Sequence, residues 1–111
     1  MPRTRAPDAG EIVWLTFSPH AQDEQAGRRP AVVLSPASYN GKTGMMVCCP
    51  LTTQIKGYPF EVVIAQRPPS AVLADQVKSL DWRARGAVRK GRVPTPVLEE
   101  VRAKVRALIG A

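Results

Sequence analysis

Residues able to move a proton or hold a phosphate fall in three separated stretches of this 111-residue chain. In "EQAGRRPAVVLSP", Glu24 precedes the adjacent pair Arg28 and Arg29, and Pro30 follows them. Proline fixes its own φ and drives the residue before it towards extended geometry, so Arg29 is expected at a rigid joint between a loop and a strand. "PLTTQIKGYP" carries Thr52, Thr53 and Lys56, and "LADQVKS" carries Asp75 and Gln76 between apolar positions. Such a set suits transfer at a phosphodiester whose nucleophile is already in the substrate. In RNA the 2′-hydroxyl can attack the adjacent phosphorus without a metal, leaving a cyclic phosphate and a free 5′-hydroxyl. The protein then supplies proton transfer and positive charge against the pentacoordinate phosphorane. Arginine suits the second task, being planar, permanently charged and matched to two phosphate oxygens at once. It suits the role of general base badly, because its pKa lies above about 12.

Other chemistries find less support. "GRR" and "GKTG" lack the spacing of a Walker loop, and no strand-glycine-helix unit is available to hold a dinucleotide. His20 is the sole histidine and reads as an exposed loop residue; no serine has the surroundings of a nucleophile elbow. Cys48 and Cys49 are adjacent in an apolar run, where strand alternation sends them to opposite faces, so they read as reduced, buried thiols. Two diverging thiols and one histidine do not make a zinc tetrad. No metal and no cofactor are expected.

The elements that must position these residues are short strands. "EIVWLTF" reads as a first strand, and "SPHAQDEQAGRR" as a polar loop longer than a hairpin needs. "PAVVLS" is a second strand and "PASYNGKTG" a turn-rich connector with an Asn-Gly pair. "MMVCCPL" is a third strand broken by Pro50, which implies a bulge or bend. A polar loop leads to "FEVVIA", a fourth strand with Glu61 facing out, and "QRPPS" is a stiff turn. "AVLADQVKSLDW" reads as two short strands meeting at a kink at Asp75 and Gln76. "KSLDWRARGAVRKGR", residues 78–92, holds six basic residues and one acid, as a solvated basic connector would. The C-terminal "TPVLEEVRAKVRALIG" is a helix: Thr95 caps it, Pro96 fits its first position and Gly110 stops it. Its apolar stripe is Val97, Leu98, Val101, Val105, Leu108 and Ile109. Five or six strands with one terminal helix predict a mainly β fold, a small SH3-like barrel, in which the three polar stretches converge on one rim.

At this length one domain, residues 1–111, is expected, with no linker or repeat dividing it. Sixteen basic residues against nine acidic ones give a net charge of +7, which favours a polyanionic or acidic partner. The N-terminal "MPRTRAPDAG" is basic, but no apolar run follows. Neither a signal peptide nor a membrane span is therefore expected, and the cytoplasm is the expected compartment.

These residues carry a family resemblance. "GEIVWLTF", "EQAGRRPAVVLSP", "CPLTTQIKGYPFEV" and "LADQVKSLDWRARG", in that order, resemble the MazF/PemK family of toxin endoribonucleases from Gly10 to Gly110. The resemblance implies a homodimeric SH3-like barrel that cuts single-stranded RNA at a short recognition sequence without metal. It also implies an antitoxin whose acidic tail blocks the RNA groove. Carried over by position, Arg29 matches the family's catalytic arginine and Thr52 its catalytic threonine. Glu24, Lys56, Asp75 and Gln76 match positions near the RNA path, with Gln25, Thr53 and Lys78 beside them. Some plasmid-borne relatives have a histidine just before the glutamate-glutamine pair and an arginine two places before the aspartate; here Asp23 and Leu73 stand there. That departure argues against a histidine-based mechanism and returns the weight to Arg29. Family accounts give proton transfer to the arginine itself, whereas Glu24 is the chemically easier general base.

Phe17 and Tyr58 are candidates for stacking on bases, the usual way unpaired RNA is read. Trp14 and Trp82 suit the core or a dimer interface. Two alternatives use the same fold: a non-catalytic nucleic-acid-binding barrel, and a gyrase-targeting toxin. The second is weakened because such toxins lack the arginine-proline and threonine-pair blocks.

Overall fold

The computed structural model describes residues 5–17 and 27–110. Seven strands, β1 (Glu11–Thr16), β2 (Arg28–Val33), β3 (Met45–Thr52), β4 (Glu61–Ile64), β5 (Ser70–Leu73), β6 (Lys78–Asp81) and β7 (Val88–Arg92), form one antiparallel sheet. Its order is β4-β5-β3-β2-β1-β7, with β6 also paired to β3. Helix α1 (Ala37–Thr43) joins β2 to β3, a 3-10 turn (Ala74–Gln76) separates β5 from β6, and helix α2 (Thr95–Ile109) ends the described chain. The sheet curls into a half-barrel, as expected of an SH3-like fold.

β3 organises the whole. Its first half pairs with β6 from Met45–Asp81 to Cys48–Lys78, and its end pairs with β5 at Leu51–Val72 and Thr52–Ala71. Between them, residues 73–77 stand opposite only Cys49 and Pro50, so the 3-10 turn is the expected kink, a bulge carrying Asp75 and Gln76. Pro50 was expected to break β3, yet the strand runs on to Thr52. The proline sits where β3 changes neighbours and its ladder is already interrupted, a position that tolerates a missing N–H.

Alternation along β2 and β3 divides the apolar residues between two cores. Val32, Leu34, Cys49 and Leu51 join Val62, Ile64 and Val72 beneath Val97, Leu98, Val101 and Val105 of α2. Ala31, Val33, Met46 and Cys48 join Val13, Leu15, Leu80 and Trp82 on the other side. Trp82 is thus a core residue, whereas Trp14 is exposed on β1.

Five further expectations are corrected. The Asn-Gly connector is helix α1, because Asn40 is buried and bound rather than turning the chain. Its Nδ2 donates to Pro7 O at 2.7 Å and Ser35 O at 3.0 Å, Ser35 Oγ donates to its Oδ1 at 2.6 Å, and Trp82 Nε1 donates to its carbonyl at 2.9 Å. The basic stretch 78–92 is not a connector but β6, a turn and β7. In α2, Pro94 occupies the N-cap position with no side-chain cap bond, so Thr95 is the first helical residue rather than the cap. Only the first part of the α2 stripe packs inward; Leu108 and Ile109 are exposed. Gly110 does stop the helix, in the left-handed conformation at φ +84°. The fifth correction, at Glu61, belongs to the site.

Candidate active site and nucleic-acid interface

Arg29 and Thr52 come together through strand register. β2 and β3 pair antiparallel with Ala31 opposite Pro50. Continuing two residues along each strand sets Arg29 level with Thr52, where β5 closes the other side through Thr52–Ala71. Arg29, Pro30, Leu51, Thr52, Thr53 and Ser70 line one open depression of about 220 Å³. Among the described residues no carboxylate forms an ion pair with Arg29. Its guanidinium carbon lies 5.8 Å from the centre of the Phe17 ring, and Lys78 Nζ lies 5.3 Å from the same ring. The aromatic quadrupole holds two cations beside the depression without neutralising either.

Thr52 is oriented by its own loop. Its Oγ1 accepts a hydrogen bond from Gln54 N at 3.0 Å, which leaves the hydroxyl proton to be donated elsewhere. A permanently charged guanidinium and a hydroxyl donor on one depression can receive the non-bridging oxygens of a phosphate.

The neighbouring arginine has a different task. Arg28 donates to Thr16 Oγ1 at 3.2 Å, Trp14 O at 3.3 Å and Gly86 O at 3.2 Å, clamping the start of β2 to the end of β1 and to the turn before β7. Arg85 donates to the carbonyls of Thr16 and Phe17. The backbone that carries Phe17 and Arg29 is therefore tied down from two sides.

A second group borders the loop of residues 53–60. Tyr58 Oη donates to Asp75 Oδ1 at 2.9 Å, joining that loop to the 3-10 turn. This bond favours the protonated phenol and raises the Tyr58 pKa. Lys56, Asp75 and Gln76 are exposed. Glu61, expected to face out, is buried. Strand parity does put it opposite Val62 and Ile64, but the loop folds back over it. Its carboxylate accepts Lys56 N at 3.0 and 3.2 Å and Gly57 N at 2.6 Å.

Sequence reasoning missed Glu61, Ser70 and the clamping role of Arg28. Glu61 and Arg28 act through fold-back and cross-strand contacts, and Ser70 reaches the depression only through the pairing of β5 with β3; local pattern carries no signal of either. Glu24, Gln25, Asp23 and His20 lie outside the described residues.

Cys48 and Cys49 are free thiols, one in each core, and burial pushes both pKa values up to about 12. Among the described residues, no group of three or more His, Cys, Asp or Glu could hold a metal, and no helix is long and apolar enough to cross a membrane.

The endoribonuclease toxin MazF of Escherichia coli K12 is 57% identical over 105 residues, covering 94% of this chain and 95% of that protein. A crystal structure of MazF from Deinococcus radiodurans superposes with a TM-score of 0.86 at 54% identity, covering 96% of this chain and 98% of the other. A MazE-MazF crystal structure from the same organism gives 0.83 at 50% identity, covering 95% and 96%. The profile described as "PemK-like, MazF-like toxin of type II toxin-antitoxin system" matches residues 8–109, and the chain belongs to that family.

Proposed function

We propose that this chain is a toxin endoribonuclease that cleaves single-stranded RNA at a short recognition sequence, using the substrate's own 2′-hydroxyl as nucleophile and no metal. The observation that carries the reading is the shared depression of Arg29 and Thr52, with Arg29 in no ion pair among the described residues. Arg29 meets the scissile phosphate and stabilises the charge that grows on the phosphorane, and Thr52 donates to a non-bridging oxygen. Glu24 takes the 2′-hydroxyl proton, a task for which a carboxylate is far better suited than a guanidinium. The bond from the ribose oxygen to phosphorus forms as the bond to the 5′-oxygen breaks, and the departing 5′-oxygen takes a proton from water, which the open depression admits. The products are a 2′,3′-cyclic phosphate and a 5′-hydroxyl.

Phe17, Gln25, Thr53, Lys56, Tyr58, Asp75, Gln76 and Lys78 line the path of the strand. Phe17 and Tyr58 supply aromatic faces for unpaired bases, and Lys56 and Lys78 supply positive charge to the backbone. The net charge of +7 also fits an acidic antitoxin that mimics phosphate with carboxylates. The MazE-MazF assembly from D. radiodurans supports such a partner. The working unit is a homodimer.

The test is cleavage of a long RNA in excess chelator, beside a copy with 2′-deoxy sugars. The expected result is cutting of the ribose form only, with cyclic phosphate termini. Salt-sensitive binding with no product would instead mark a non-catalytic RNA-binding barrel.

A further inference from the structure

One buried carboxylate near the site takes no part in the chemistry proposed above. Glu61 is 8% exposed, and two successive amides, of Lys56 and Gly57, point at its oxygens. Consecutive backbone N–H groups converging on one anion form a nest of the kind that elsewhere receives phosphate. Here the chain's own side chain fills it. Gly57 makes the convergence feasible with φ +84°; nothing lies within 4 Å of where a Cβ would stand, so backbone geometry rather than space calls for glycine. The far end of the loop is otherwise held by Glu61 N to Tyr58 O at 3.1 Å, Ala74 N to Phe60 O at 3.0 Å, Lys104 Nζ to Pro59 O at 2.5 Å and the Tyr58–Asp75 bond, and its start by Gln54 N to Thr52 Oγ1 at 3.0 Å, which leaves the backbone of Lys56 and Gly57 to Glu61. Lys56 and Tyr58 ride on this loop, whereas Arg29 and Thr52 stand on paired strands.

We infer that Glu61 is a positioning residue for substrate binding: its carboxylate holds the loop preformed so that Lys56 and Tyr58 meet the RNA strand, and the chemical step is left to Arg29 and Thr52. The inference rests on the ribonuclease reading. Without the anchor, the loop must be ordered as RNA binds, and that cost falls on binding rather than turnover. A carboxylate that served only overall stability would act differently. Its loss would lower the fraction of active enzyme, reducing apparent kcat at unchanged KM.

The experiment compares full-length Glu61→Ala and Glu61→Gln with the parent chain. It measures steady-state cleavage of a single-site RNA, binding of its 2′-deoxy copy, and amide exchange at Lys56 and Gly57. For Glu61→Ala, KM and Kd are expected to rise roughly tenfold, as loss of hydrogen bonds to a charged group implies, with kcat within about twofold. Exchange at Lys56 and Gly57 accelerates while β3 amides stay protected. Glu61→Gln keeps one acceptor oxygen and recovers part of the binding. A fall in kcat at constant KM, or faster loop exchange with unchanged KM and Kd, would overturn the inference. If Glu61→Ala does not fold, Glu61→Gln decides by the same criteria. If the parent chain does not cleave RNA, the ribonuclease reading fails by itself, and binding and exchange still judge the anchor.

Discussion

Two arginines that are neighbours in sequence divide their labour completely. Arg28 spends its guanidinium on Thr16, Trp14 and Gly86, while Arg29 faces the depression beside Thr52. Replacing Arg29 by Ala removes the charge that the proposed mechanism sets against the phosphorane. Cleavage should fall by about 10²–10³ or more in kcat, with the circular-dichroism spectrum and melting curve retained. Arg29→Lys keeps the charge but loses the planar fork, and should recover only part of the rate. Near-normal cleavage by Arg29→Ala would remove Arg29 from the mechanism. The proton acceptor is tested separately: Glu24→Gln should abolish the acidic limb of the pH–rate profile, and an unaltered limb would exclude Glu24. At this scale the sequence was informative where covalent geometry speaks, as in the Arg-Pro step. It misplaced Glu61, whose burial depends on a loop folding back from residues 53–60.

Among the elements, α1 shows how tertiary partners overrule local preference. Asn-Gly favours a turn, yet Asn40 is satisfied by Pro7, Ser35 and Trp82, and a helix forms around it. Pro36 offers no side-chain cap, so Asp8 caps from outside: its Oδ1 accepts Ala37 N and Ala9 N, each at 2.9 Å. These two backbone bonds hold the Asp8 carboxyl below its ordinary value of 3.8. A carboxyl depressed in the folded state contributes stability above its unfolded pKa, and that contribution is lost as pH falls through the folded one. Asp8→Ala should therefore cost about 1 kcal/mol at neutral pH by urea unfolding. The gap to the parent chain should close below about pH 4; a constant difference down to pH 2 would refute the cap. The strands were legible because alternation and β-branched runs mark them directly. The kink at Asp75 was legible because its polar pair interrupts an apolar pattern. The course of β3 through Pro50 was not, since only the pairing with β5 and β6 shows that the ladder is already open there.

For the molecule as a whole, the distribution of charge matters more than its sum. Arg5, Arg89 and Arg92 surround the buried Glu11 at 3.4, 3.0 and 3.6 Å, and Arg85 is bound to the carbonyls of Thr16 and Phe17. Much of the basic stretch is thus tied to the fold, while Lys78 stands beside Phe17 and Arg29. Binding of a 2′-deoxy oligonucleotide should weaken steeply with salt. Lys78→Ala should reduce the slope of log K against log salt by roughly 0.7, and an unchanged slope would place Lys78 off the path. Trp14 and Val88, cross-strand partners on β1 and β7, are 36% and 55% exposed at the end of the sheet. Their apolar face suits the contact of the proposed homodimer. Val88→Asp should shift sedimentation towards the monomer; an unaltered dimer would move the interface elsewhere.

The split of Cys48 and Cys49 between two cores makes the unmodified chain its own reporter. With both pKa values pushed to about 12 by burial, neither sulfur reacts appreciably until the packing around it opens. Alkylation followed by peptide mass spectrometry therefore times two openings from adjacent positions. Equal rates would mean that helix and barrel come apart together, and unequal rates would name the half that lets go first.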